Sequence, residues 1–190
     1  MLRPAGRRAH APVAGMATAL LILILGMVAP GAALARDAGC GRAEAHIAQA
    51  SSNALGSATV CLVNRERRRH GLRPVRHNAR LAKAATRHAR DMVRRTYFAH
   101  TSLSGANFAT RIHRTGYTRG KAWRLGENLG WGGGTSSTPR SIVTAWMGSQ
   151  SHRANVLGPY KEIGVAIVRG APVAGNDGAA TYTTEFGTLS

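Results

Sequence analysis

An α+β domain is the fold class the chain predicts. Segments whose apolar residues recur at helical spacing come first, and segments that alternate in the manner of strands come later. The two kinds do not interleave regularly, as a doubly wound parallel sheet would require. The size agrees: 190 residues suit one domain, and two would leave each core thin.

Residues 1–35 stand apart from the fold. Arg3, Arg7 and Arg8 make a basic start, an apolar run extends from Met16 to Val28, and Ala33-Leu34-Ala35 supplies small residues at a cleavage position. This pattern predicts a signal peptide removed after Ala35. Gly26, Pro30 and Gly31 cut the run short of the roughly 20 apolar residues a membrane span needs. Residues 36–57, rich in Ala, Gly and Ser, are expected to form a loose N-terminal lead to a domain over residues 58–190. Cys40 and Cys61 both lie in the exported part. An even pair in an oxidising compartment reads as one disulfide, and without Cys-x-x-Cys a redox site is not indicated.

The elements follow in order. The first helix is expected over residues 57–70, with Ser57 or Thr59 near its start and Gly71 as its left-handed stop. Leu72 to Val75 is an extended connector broken by Pro74. The second helix runs from about Ala79 to Thr96. Leu81, Ala84, Ala85, His88, Ala89 and Met92 share one face, and Arg80, Lys83, Arg87, Arg90 and Arg94 the other. A short helix near residues 106–115 ends at Gly116. Glu127–Trp131 reads as a strand opening into a Gly-rich loop. Ser141–Met147 reads as a helix begun by Thr138-Pro139, where proline suits the first turn. Ile163, Val165 and Ile167, then Thr181–Phe186, are two strands joined across residues 170–178.

Charge narrows the partners. The formal net charge is +18, and residues 36–190 carry 23 basic against 8 acidic residues, a formal +15. An acidic substrate mimic and a halophilic protein are excluded. An anionic polymer or lipid surface is a natural electrostatic partner. No groove-reading motif is present, so sequence-specific nucleic acid binding is not expected. Trp123, Trp131 and Trp146 are expected to pack rather than to stack on bases. His88 is expected in the core, and His70, His77 and His113, set among arginines, in solvent.

Three segments carry titratable groups between apolar or turn-forming neighbours: Tyr97–Ser102 with His100, Gly126–Leu129 with Glu127, and Trp146–Leu157 with His152. Two imidazoles and a carboxylate converging from separate loops could hold a divalent metal such as Zn²⁺ or act as a general acid–base pair. They are equally readable as locally bonded loop residues.

The order of these segments resembles the CAP superfamily, the cysteine-rich secretory, antigen 5 and pathogenesis-related proteins, and most of all its bacterial secreted members. The pieces that carry the resemblance begin with Leu62-Val63-Asn64-x-x-Arg67, Gly71-Leu72 with Pro74, Ala89-Arg90-Asp91-Met92 and Phe98-Ala99-His100. They continue with Arg111-Ile112, Gly116-Tyr117, Gly126-Glu127-Asn128, Trp146, Ser149 and His152-Arg153-x-Asn155-x-Leu157. Glu162-Ile163-Gly164-Val165 and Phe186-Gly187 complete the set, which spans about residues 58–187. The resemblance implies an α-β-α sandwich around a central antiparallel sheet. It also implies an open cleft in which His100, Glu127 and His152 meet, flanked by Asn128 and Ser149.

Many members carry a second cleft glutamate at the position of Ser149. Glu162 and Glu185 are the candidate replacements, and strand alternation leaves the direction of each open. The resemblance favours an extracellular binding or effector module, its ligand a lipid, a cell-envelope component or a protein, with His100 and His152 as metal ligands. The alternatives are a metal-assisted hydrolase using His100, Glu127 and His152, and an electrostatic polyanion binder. No serine or cysteine sits in a nucleophile elbow.

Overall fold

The computed structural model describes residues 39–176 and 178–190. The expected signal peptide lies outside them. Among the described residues no helix is long and apolar enough to cross a membrane.

Helix α1 (Ser52–Arg69) starts five residues before the expected Ser57, because Ser51 caps it by accepting from the Ala54 amide. The segment before it is not loose. Cys40, Ala43 and Ile47 are buried among the core side chains, and Cys40 is bonded to Cys61 on the helix, as the cysteine count predicts. Purified oxidised protein should contain no titratable thiol. Because the bridge joins positions 21 residues apart, its reduction should lower stability by about 3 kcal/mol in the chain-entropy account. Two titratable thiols in native oxidised protein would remove it.

Strand β1 (Arg76–His77) leads into helix α2 (Ala79–Arg94), capped by Asn78, whose Oδ1 accepts from the amides of Arg80 and Leu81. All six apolar-face residues named from the sequence are buried. Helix α3 (Phe108–His113) follows, then strand β2 (Trp123–Gly133), helix α4 (Pro139–Gly148), helix α5 (Gln150–Val156), and strands β3 (Glu162–Arg169) and β4 (Ala179–Leu189). Thr138 caps α4 with Pro139 in its first turn, as expected. Helix α5 has no counterpart among the expected elements, and it takes His152 out of a loop.

The sheet order is β1-β3-β4-β2. Both long pairings are antiparallel, and the two-residue β1 joins β3 in parallel, a small departure from the expected all-antiparallel sheet. One face packs on α1 and α4, with Leu55, Leu62, Ile142, Trp146, Ile163, Tyr182 and Phe186 in the core. The other face meets α2 and α3, where Leu81, Ala84, Ile112 and Tyr117 cluster and Ala85 and Ala89 lie on Ala166. This is the predicted sandwich. The small residues of α2 allow a very close approach: a Cβ on Gly164 of β3 would lie 2.0 Å from the Ala82 nitrogen.

Trp146 is buried, but Trp123 and Trp131 are exposed at 47% and 36%, contrary to the packing role expected of them. Trp123 rests edge-on against His113, their ring centres 4.9 Å apart.

Candidate functional site

Alternation along β2 decides which groups share a face. Gly126, Asn128 and Gly130 face α4 and α5, where added side chains at the glycines would meet Asn155, Tyr160, Ile142 and Trp146. Glu127 faces α2 and α3. Asn128 therefore does not flank the cleft beside Glu127 as expected. It is fully buried on the other face, donating to the His152 carbonyl at 3.0 Å and accepting from Asn155 at 2.9 Å. Its role is to hold α5 against the strand.

Side chains from the α4–α5 side also claim alternate carbonyls of β2 along the edge that β4 leaves free. Tyr160 donates to Leu125, Asn155 to Glu127 and Trp146 to Leu129, at 3.2, 2.9 and 2.8 Å. The far end of α5 is held by Arg67, a buried residue of α1. Its guanidinium donates to the carbonyls of Arg73, Val156, Gly158 and Tyr160 at 2.8–3.1 Å. Helix α5, and with it His152, is thus fixed to both β2 and α1.

His100 reaches the same edge from the segment between α2 and α3. Its Nδ1 lies 2.7 Å from Glu127 Oε1. A carboxylate can only accept, so Nδ1 carries the proton of this bond, and the imidazole is otherwise half exposed. Glu127 Oε2 accepts from Arg111 Nη2 at 2.5 Å. Arg111 is itself buried and donates through Nη1 to the carbonyls of His100 and Ala106 and to Ser102 Oγ. One guanidinium therefore orients the carboxylate and anchors the segment carrying His100. Burial alone would raise the Glu127 pKa, but the His100 hydrogen bond and the Arg111 charge outweigh it and hold the group below the usual carboxylate range.

His152 completes the group. Its Nδ1 pairs with Ser149 Oγ at 2.9 Å, one helical turn away. Burial, then the nearby His100, lower its pKa, which keeps the imidazole neutral at pH 7. Glu127 thus contacts His100, whose charge is felt by His152, and Ser149 is bonded to His152. His88 is in the core as read from the sequence, its Nε2–H donating to the Ala99 carbonyl at 2.9 Å.

Of the two candidate replacement carboxylates, Glu162 is excluded from the site. It accepts from Asn78 at 2.8 Å and from Tyr117 at 2.7 Å, bracing α2 to the sheet. Glu185 is paired directly with Glu127 across the β2–β4 ladder and is fully buried on the same face. Among the described residues its carboxyl group has no polar side chain to meet except that of Glu127. Burial, then the negative charge of Glu127, push its pKa well up, so it is held as the neutral acid. A raised pKa means a contribution that is whole below the unfolded value and is lost as pH climbs towards the folded one. Glu185→Gln, neutral at every pH, should leave thermal stability unchanged near pH 4. At pH 8 it should raise the melting temperature by about 2–4 °C, the shift that about 1 kcal/mol gives a domain of this size. A fall at pH 8 would show that the ionised carboxylate has a stabilising role.

Arg111 is the site residue that sequence reasoning misses, although Arg111-Ile112 is among the pieces that carry the family resemblance. Among the described residues no group of three or more His, Cys, Asp or Glu is arranged to hold a metal ion. With both oxygens of Glu127 engaged, the outward donors are the two imidazoles.

Comparison with known proteins agrees with this fold. Residues 60–183 match the family model described as the cysteine-rich secretory protein family. The uncharacterized protein YkwD of Bacillus subtilis is 33% identical over 127 residues, covering 66% of this chain and 47% of YkwD, so the chain spans about half the length of that relative. Two solved structures share the fold. An outer surface protein of Borrelia burgdorferi has a TM-score of 0.58 at 21% identity, over 69% of this chain and 90% of that one. An extracellular SCP-domain protein of Bacillus anthracis has a TM-score of 0.57 at 26% identity, over 71% and 40%. By its matched residues and its sandwich, the chain belongs to the cysteine-rich secretory protein, or CAP, family.

Proposed function

We propose that the protein is a secreted binding module whose cleft, at the β2 edge, takes an extracellular ligand: a lipid, a cell-envelope component or a protein. The observation that carries this reading is the way His100 is held. Its imidazole is 55% exposed, yet its inner nitrogen is fixed by a carboxylate with no exposed side-chain surface. Exposure with fixed orientation suits recognition, because little freedom is lost when a ligand arrives. Secretion is supported by the N-terminal pattern of the sequence and by the extracellular and outer-surface descriptions of the structural neighbours.

A divalent cation such as Zn²⁺ fits this donor set in a limited way. His100 and His152 each engage Nδ1 with a neighbouring oxygen and leave Nε2 to a ligand, the usual support for a metal-binding imidazole. Such an ion would supply Lewis acidity or a bridge to an anionic ligand. Glu127 orients His100 rather than contributing a ligand of its own, so the site is a weak two-nitrogen one. The Ser149–His152 contact does not favour a hydrolase, since it joins residues within one turn and no carboxylate among the described residues is bonded to His152 to orient it as a base.

Calorimetric titration with Zn²⁺ should show one weak site that is lost in the His100→Ala, His152→Ala double variant. Affinity should fall as pH drops through the histidine range, because a protonated imidazole has no lone pair to give. The lowered pKa of His152 places its part of that loss below the ordinary histidine midpoint. Equal binding by the double variant would reject the site. Ester or peptide hydrolysis that disappears with His100 and His152 would replace the binding module by an enzyme.

A further inference from the structure

A groove of about 400 Å³, whose lining includes neither His100 nor His152, runs between α2 and α3. His88 and Arg111 lie at its floor, and its walls carry Arg87, Arg90, Arg94, Arg95 and Arg114. Asp91 is the one carboxylate lining it. That carboxylate already accepts from the Tyr97 hydroxyl at 2.5 Å, and it stands 3.6 and 3.9 Å from Arg94 and Arg95. The side chains of Arg87, Arg90 and Arg114 have no ion-pair or hydrogen-bond partner among the described residues. The floor gives no relief, because the charge of Arg111 is matched by Glu127 beneath it. The groove thus holds a local excess of unmatched guanidinium groups, a larger concentration than a solvated helix face requires.

We infer that this groove is a binding site for a linear polymer bearing successive phosphate groups. Guanidinium presents a planar fork that pairs with phosphate oxygens at two points, so arginine suits this chemistry better than a point charge would. The spacing suits a chain rather than a single anion. Arg87, Arg90 and Arg94 follow one another on one face of α2, and seven residues of helix rise about 10 Å, so the row meets more than one phosphate at once. The groove shares Arg111 with the cleft but none of its outward-facing arginines.

The test uses the purified protein and inorganic polyphosphate, followed by calorimetry over a range of salt concentrations. Its comparison is between two triple variants of equal charge: Arg87→Gln, Arg90→Gln, Arg114→Gln in the groove, and Arg68→Gln, Arg73→Gln, Arg119→Gln elsewhere. All six are exposed, and thermal unfolding checks that both variants keep the fold. The groove variant should bind at least about tenfold more weakly in low salt and show a shallower salt dependence, by about 0.7 in log–log slope for each phosphate it no longer neutralises. The second variant should change little. Equal losses in both would assign the binding to diffuse charge and overturn the site. Inorganic phosphate binding as tightly as the polymer would make it a small-anion pocket instead. Binding to vesicles of anionic phospholipid, with none to polyphosphate, would make the face a membrane contact and reject the polymer.

Discussion

Arg111→Met should destabilise the fold by about 3–5 kcal/mol, the usual consequence of leaving one partner of a buried ion pair alone. The guanidinium is 8% exposed and its partner Glu127 3%, so water cannot replace it. Methionine keeps most of the volume and removes five donors. The variant should regain part of its stability as pH falls, because Glu127 without Arg111 would take up a proton more readily. In the parent the sign is opposite: the lowered pKa of Glu127 gives stability that is present above the unfolded carboxylate value and is lost as pH falls through the folded one. Adding Glu127→Gln to Arg111→Met removes the stranded charge and should restore much of the loss. Urea unfolding of the single and double variants at pH 5 and pH 7.5 measures all of this. An Arg111→Met variant within about 0.5 kcal/mol of the parent would mean that the pair does not hold this part of the fold together.

Gly164→Ala should be comparably severe, about 4 kcal/mol or more, which lies in the range reserved for specific packing failures. The new Cβ would lie 2.0 Å from the Ala82 nitrogen and 2.2 Å from the Leu81 carbonyl carbon, both backbone atoms. Backbone cannot turn aside as a side-chain tip can, so α2 must lift from the sheet. That lift would disturb His88, which holds the Ala99 carbonyl next to His100. Gly56→Ala provides the control. It lies inside α1 with open space around the added atom, and should stabilise by about 0.5–1 kcal/mol through helix propensity alone. Similar urea midpoints for the two variants would refute the close-packing account.

Much of this architecture is legible in the chain, and the places where it is not have physical reasons. Helix α2 stands out because its small and apolar residues repeat at helical spacing against a cationic outer face. His100, Glu127 and His152 are found by resemblance, since no local spacing joins them. The direction of Glu185 cannot be read from its own strand, because either face of an isolated strand is available until register is set. Pairing with Glu127 settles it. Arg67 and Arg111 are hidden by company. In a chain with 23 arginines, a buried one looks like a solvated one, and the carbonyls that Arg67 satisfies lie up to 93 residues away. The start of α1 is misplaced because several serines offer themselves as caps, and the choice of Ser51 goes with the burial of the preceding turns and the disulfide that ties them down.

The three side chains that occupy alternate carbonyls of β2 have a consequence for self-association. An exposed terminal strand of 11 residues is ordinarily a template on which another chain can lay itself down, and proteins guard such strands with charge, proline or bulges. Here Tyr160, Asn155 and Trp146 guard it by satisfying the acceptors an incoming strand would need. At the opposite border, β1 offers only two residues. At the β2 border, strand addition is therefore opposed by side chains that already occupy three alternate acceptors, and not by charge alone.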